Sequence, residues 1–82
     1  MEAGHVFHNS TMTLTCLAFH AIGNRNVGLF QRRSDGTYVT ARNTSKDKDG
    51  TYSWAWGYYF TNYDDAKEDY RKRLQEMLSY KN

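Results

Sequence analysis

Two Asp-Gly pairs, Asp35-Gly36 and Asp49-Gly50, constrain this chain more than any other feature. Each lies between segments in which apolar and polar residues alternate. Asp-Gly readily supplies the positive φ angles of a tight type I′ hairpin turn. Read as two-residue turns, the first sets Phe30 opposite Ala41 and Arg32 opposite Val39. The second sets Tyr58 opposite Ala41, Phe60 opposite Val39 and Trp56 opposite Asn43. Phe30, Val39, Ala41, Trp54, Trp56, Tyr58 and Phe60 then share one face of a three-stranded antiparallel meander, roughly residues 27–33, 37–43 and 53–60.

A helix is expected after the sheet. Asn62 is a good N-cap, and Asp65 stands three residues on for a capping-box-like exchange. Tyr63, Ala66, Tyr70, Leu74, Met77 and Leu78 recur at steps of three and four, which draws one apolar stripe. Acids come early and bases late, with Glu68–Lys72 and Asp69–Arg73 at i,i+4 spacing. The stripe and the aromatic sheet face are expected to cover each other, burying Trp56, Tyr58, Phe60, Tyr70 and Leu74 together.

The upstream segment admits two readings. Thr11, Thr13 and Thr15 alternate with Met12, Leu14 and Cys16 as in a strand, whereas Leu14, Leu17, Ala18, Ala21 and Ile22 fit a helix ended by Gly23-Asn24. The β-branching of threonine favours the strand. Residues 1–11 show no clear period and are expected as a disordered N-terminal extension, with Met12 an alternative start; residues 12–82 are expected as one domain. The expected fold is therefore α+β, a three- or four-stranded antiparallel β-meander with one C-terminal α-helix packed on one face.

Eighty-two residues bury about 60–65% of their unfolded surface, enough for one modest core and no deep cleft. An aromatic content of 16% argues against disorder. The net charge of +2 is too balanced to imply nucleic acid by itself. Between Asn24 and Lys48, however, Arg25, Arg32, Arg33, Arg42, Lys46 and Lys48 face only Asp35 and Asp47. A single cysteine, Cys16, forms no internal disulfide and suits a reducing compartment. With no charged region leading an apolar run, neither a signal peptide nor a membrane span is expected, and the protein reads as cytoplasmic.

Motifs that carry chemistry are weak. Ser45 to Gly50 resembles the start of a calcium loop, but Trp56 stands where a bidentate glutamate is needed. His5, His8 and His20 lack the clustering of a zinc site. Cys16 and His20 share a side of a regular strand but lie over about 12 Å apart at ~3.3 Å per residue. With no nucleophile–base pair, phosphate loop or convergent carboxylates, the chain is expected to be no enzyme and to need no cofactor or metal.

The same pairing leaves Gln31, Arg33, Tyr38, Thr40, Arg42 and Tyr59 on the other sheet face, with Gly57 leaving room beside Arg42. Arginine beside tyrosine suits both protein hot spots and phosphate contact with ring stacking. The expected partner surface is thus Arg33, Tyr38, Arg42 and Tyr59, with Arg32 and the helical Arg71 and Arg73 adjoining. Two function classes follow: a protein-binding module that occupies a partner's surface, or a nucleic-acid binder using the Arg/Tyr face. An unpaired edge strand also suits pairing with a second copy or a partner's sheet.

In size and layout over its whole length the chain resembles the anti-CRISPR proteins of phages and mobile elements. That resemblance implies a non-catalytic inhibitor of a host defence nuclease complex, acting in the host cytosol. Many such inhibitors are strongly acidic mimics of DNA, and this near-neutral chain implies a different mode.

The lack of a ligand cluster yields a first prediction. The melting temperature should be indifferent to chelators, calcium and zinc, since a ligand specific for the folded state must raise stability. A rise of several degrees with stoichiometric metal, read by thermal denaturation, would overturn it.

Overall fold

The structure, a computed structural model, describes residues 1–79. Its elements are β1 (Val6–Asn9), β2 (Met12–Ile22), β3 (Arg25–Arg32), β4 (Tyr38–Arg42), β5 (Ser45–Lys46), β6 (Tyr52–Ser53), β7 (Trp56–Phe60) and α1 (Tyr63–Ser79). The fold is α+β. Five strands form an antiparallel sheet in the order β1-β2-β3-β4-β7, and β5 and β6 pair separately as a small hairpin.

The threonine alternation resolves as a strand, because β2 spans the whole ambiguous segment. The expected disordered extension is corrected: residues 6–9 form β1, pair with β2 and bury Phe7 to 3% exposure. One apolar ring at the right parity is enough to dock so short a strand.

Both Asp-Gly loops are longer than two residues, for the same physical reason. The Asp35 carboxylate accepts hydrogen bonds from the Thr37 amide and hydroxyl, and Asp49 does the same with Thr51. Each aspartate thus bonds two residues ahead instead of adopting a positive φ, which is left to Gly36 (73°) and Gly50 (89°). The first loop moves the register by two residues, setting Phe30 opposite Val39, and this preserves the faces. The second is a three-residue loop closed by the Asp47 amide donating to the Thr51 carbonyl. It moves the register by one, setting Tyr58 opposite Thr40 and Trp56 opposite Arg42. A one-residue slip turns every side chain of β7 over.

The sheet is consequently covered on both faces. On one, Phe7, Leu14, Cys16, Phe30, Val39 and Ala41 form the buried core, with Tyr52 and Trp54 packed against it. These two aromatics arrive because the β4–β7 hairpin bends back at Asn43, which holds a φ of 58°. Asn26 clamps the bend, donating to the Thr44 carbonyl (2.9 Å) and accepting from the Thr44 amide (2.8 Å). Asn9 donates to the Tyr52 carbonyl (2.6 Å) and ties β1 to β6. Phe30 lies edge-on to Phe7 at 4.8 Å and stacks with Trp54 at 5.8 Å.

Helix α1 covers the other face, over Val27, Leu29 and Thr40. Asn62 caps it as expected, its side-chain oxygen accepting from the amides of Asp64 and Asp65. The inward stripe is more polar than the periodicity suggests. Ala66 is fully buried, Asp69 accepts the buried Thr40 hydroxyl, and Arg73 lies with its guanidinium 4.0 Å over the Tyr58 ring. The Asp69–Arg73 pair forms, whereas Glu68 pairs with Arg71 instead of Lys72.

The joint burial expected for Trp56, Tyr58, Phe60, Tyr70 and Leu74 is therefore corrected: Trp56 is 59% exposed at the edge of the helix-covered face, and the other four are only half-buried. Trp54 is the tryptophan of the core; its indole lies so close over Gly57 that a Cβ there would meet Nε1 at 2.5 Å. Trp54→Ala should lower the unfolding free energy by about 3 kcal/mol, and Trp56→Ala by less than about 1 kcal/mol. Urea denaturation of both variants checks this, and the reverse order would return Trp56 to the core.

Candidate functional site

The four residues expected to converge on an open face do not. Tyr38 and Arg42 lie on the helix-covered face, Tyr38 with its ring 5.5 Å from that of Tyr63. Tyr59 pairs with Val39 and points to the other face, 57% exposed. Arg33 is exposed beyond the end of β3, whereas Arg42 pairs with Val27 near its start. Six residues of strand separate those two levels, about 20 Å. Of the adjoining residues, Arg32 reaches Asp35 at 3.6 Å and Arg71 is solvent-facing beside Glu68, so both belong to separate local pairs. Only Arg42 and Arg73 are brought together.

They meet in a cleft of about 530 Å³ between the last turns of α1 and the sheet end where β3 begins and β4 finishes. Arg25, Arg42, Arg73, Glu76, Val27 and Met77 line it. Arg73 is fixed on three sides: its Nε is 3.5 Å from Asp69, one terminal nitrogen is 3.8 Å from Glu76, and its plane rests on Tyr58. Arg42 is different. Its Nε is buried and has no hydrogen-bond partner, and its guanidinium makes no ion pair among the described residues. Trp56, directly across the β4–β7 ladder, projects from the same face beside it.

The second exposed feature is β7 itself, an edge strand with β4 as its only neighbour in the sheet. Its sequence, Trp56-Gly57-Tyr58-Tyr59-Phe60, contains no charge and no proline. Trp56 and Tyr59 stand exposed on its opposite faces. Sequence reasoning named an open edge strand, Arg42 and Arg73, but missed the exposure of Trp56, because that depends on the parity of β7 and one residue of loop length decides it.

The remaining chemical candidates are structural in their surroundings. A bulge between Cys16 and Ala18 turns the strand, so Cys16 pairs with Phe30 and His20 with Val27, on opposite faces. The shared side expected for this pair is thus corrected. The carboxylates of Asp47 and Asp49 are taken up by Thr51 and Ser53, which makes Ser45 to Gly50 a self-bonded hairpin loop. The Thr51 hydroxyl, and then its amide, hold Asp49 below the usual carboxylate range. No group of three His, Cys, Asp or Glu side chains among the described residues is placed to hold a metal ion. No helix among them is long and apolar enough to cross a membrane.

No known protein family, curated protein or solved structure matches the chain.

Burial pushes the Cys16 thiol above its ordinary pKa. Since the thiolate is the reactive form, Cys16 should resist a disulfide-exchange reagent at mildly alkaline pH and react promptly in denaturant. Rapid stoichiometric labelling of the folded protein, followed by absorbance, would place the sulfur at the surface.

Proposed function

We propose that this chain is a non-catalytic binding protein that occupies the surface of a protein partner, in the manner of the small inhibitors of host defence nucleases whose size and layout it shares. The observation that carries the reading is β7. Natural sheets blunt their edges with lysine, proline or a covering segment, and β7 has neither residue type. A partner's strand can add along its backbone, while Trp56 and Tyr59 grip that strand from both faces. Tryptophan and tyrosine bury large area with a polar handle, the chemistry of interface anchors. The lone cysteine supports a cytosolic setting.

A second reading, direct contact with nucleic acid, is favoured by one observation: Arg42 and Arg73 line one cleft, and Trp56 stands exposed across the ladder from Arg42.

Capture of partners from host cytosol, with and without nuclease treatment, separates the two. The protein-binding reading expects a partner that survives nuclease and binds with a shallow dependence on salt. Tyr59→Ala should then weaken the purified complex by about 1–3 kcal/mol without changing the fold, as a hot-spot anchor does. Loss of the partner on nuclease treatment transfers the function to nucleic acid. A concentration-dependent dimer abolished by Tyr59→Ala makes a second copy of the chain the occupant of β7.

A further inference from the structure

We infer that two copies of this chain pair antiparallel through residues 18–22 of β2, about a two-fold axis at His20. This surface lies on the opposite side of the sheet from β7 and does not rest on strand addition there. β1 covers only the first part of β2. Its ladder runs from Met12 to Thr15, and the Cys16 amide and carbonyl extend it by bonding to His5 and Gly4. Gly4, with a φ of 91°, then turns the chain, and Met1 packs against the core. Beyond Cys16 no strand among the described residues pairs with the outer side of β2. The stretch Ala18-Phe19-His20-Ala21-Ile22 has no lysine, acidic residue or proline, the devices that blunt an open edge. His20, Ala21 and Ile22 are exposed, Ile22 at 45%.

The backbone fixes how such an edge can be paired. Gly23 and Asn24 make a two-residue turn, so the flanking Ile22 and Arg25 exchange hydrogen bonds across the hairpin. The alternation of the ladder then turns the amide and carbonyl of His20 and Ile22 toward β3, and those of Phe19 and Ala21 outward. A two-fold axis centred on His20 sets Phe19 of each copy opposite Ala21 of the other. Each of these pairs exchanges two hydrogen bonds, and every outward group of the two residues finds a partner. An axis at Phe19 would set Ile22 opposite Cys16, whose outer side Gly4 and His5 already occupy. An axis at Ala21 would shorten the ladder to residues 20–22, because the Gly23 turn ends the strand. An axis between residues would oppose outward groups to inward ones. One register remains.

That register also matches side chains by size, and this is what points to a second copy. Phe19 comes opposite Ala21, and Ile22 opposite Ala18, so each large apolar side chain meets a small one. The faces agree as well: Phe19 and Ala21 share the face of Gly28 and Asn26, and Ala18 and Ile22 share the face of Leu29 and Arg25. An unrelated strand has no cause to carry this complementarity. The limits of the edge are reciprocal too. The Gly4 turn closes one end and the Gly23 turn the other, and a second copy brings the same two limits in reverse order. No charged pair is opposed, since the stretch has no lysine, arginine, aspartate or glutamate. So short a ladder lies at the low end of interface sizes, and the dimer dissociates on dilution. The sheets of the two copies become continuous, with a β7 edge at each outer end. A binding surface on β7 is thereby presented twice, which raises avidity for a partner that offers two sites.

Sedimentation velocity of the intact protein over a concentration series tests the inference. A monomer–dimer equilibrium is expected. Ala21→Pro removes an outward amide that bonds only to the second copy, so circular dichroism should be unchanged. Its Kd for dimerisation should rise about tenfold or more, since two hydrogen bonds are lost per dimer. His20→Lys and His20→Glu each set like charges directly opposite at the axis, and each alone should shift toward monomer. Mixed together, the two should regain the dimer as a heterodimer. Should Ala21→Pro fail to fold, the exposed His20 pair decides alone. A parent that stays monomeric at millimolar concentration, or a dimer that the folded variants leave unaltered, overturns the inference. A dimer lost in Tyr59→Ala and kept in the His20 variants places the second copy at β7 and overturns it as well. If the parent is monomeric and His20→Lys instead abolishes capture of a host protein, the occupant of this edge is a partner's strand and the second copy is overturned.

Discussion

The ring of Phe30 is the contact on which the rest of this small protein depends. It is fully buried and lies back along its own strand over Gly28, so closely that a Cβ at that position would meet Cζ at 2.3 Å. Only glycine leaves the ring this room. Phe7 then packs edge-on against it and docks β1, while Trp54 stacks on it and holds the bent tip of the hairpin down. A chain of this length has few apolar residues to spare, and one ring here holds two separate segments against its own strand.

With that face closed by the hairpin, the helix is free to cover the other, where the packing is of a different kind. Thr40, Asp69, Arg73 and Tyr58 form a continuous chain of hydrogen bond, ion pair and cation–π contact between sheet and helix. Such a chain specifies the rotation of the helix in a way that an apolar stripe of Ala66, Tyr70 and Leu74 alone does not. It also places Arg73 beside Arg42. The geometry of the cleft is thus a consequence of how the helix is held.

Much of the fold was legible in the sequence, and the failures share a cause. The Asn62 cap, the helix that follows it and the threonine-marked strand β2 each rest on local chemistry, and each is present. The meander was legible as well. Parity was not. Asp35 and Asp49 each stand before Gly-Thr, and the threonine amide and hydroxyl draw the carboxylate forward and lengthen the loop. One added residue in the second loop exchanged Tyr58 with Tyr59, and the bulge at Leu17 exchanged the faces beyond Cys16. Asp-Gly-Thr, repeated in both loops, was the signal available for the longer turn.

Parity also fixes what the open edge of the sheet at β7 presents. Trp56 begins β7 on the face where Arg42 ends β4, and Tyr59 stands exposed on the opposite face. A strand adding to β7 would lie in the plane of the sheet, with one exposed ring above it and one below. Gly57, between those two rings in sequence, meets the Trp54 indole where a side chain would stand. The contact that holds the hairpin tip down therefore also sets which residue the edge can carry there.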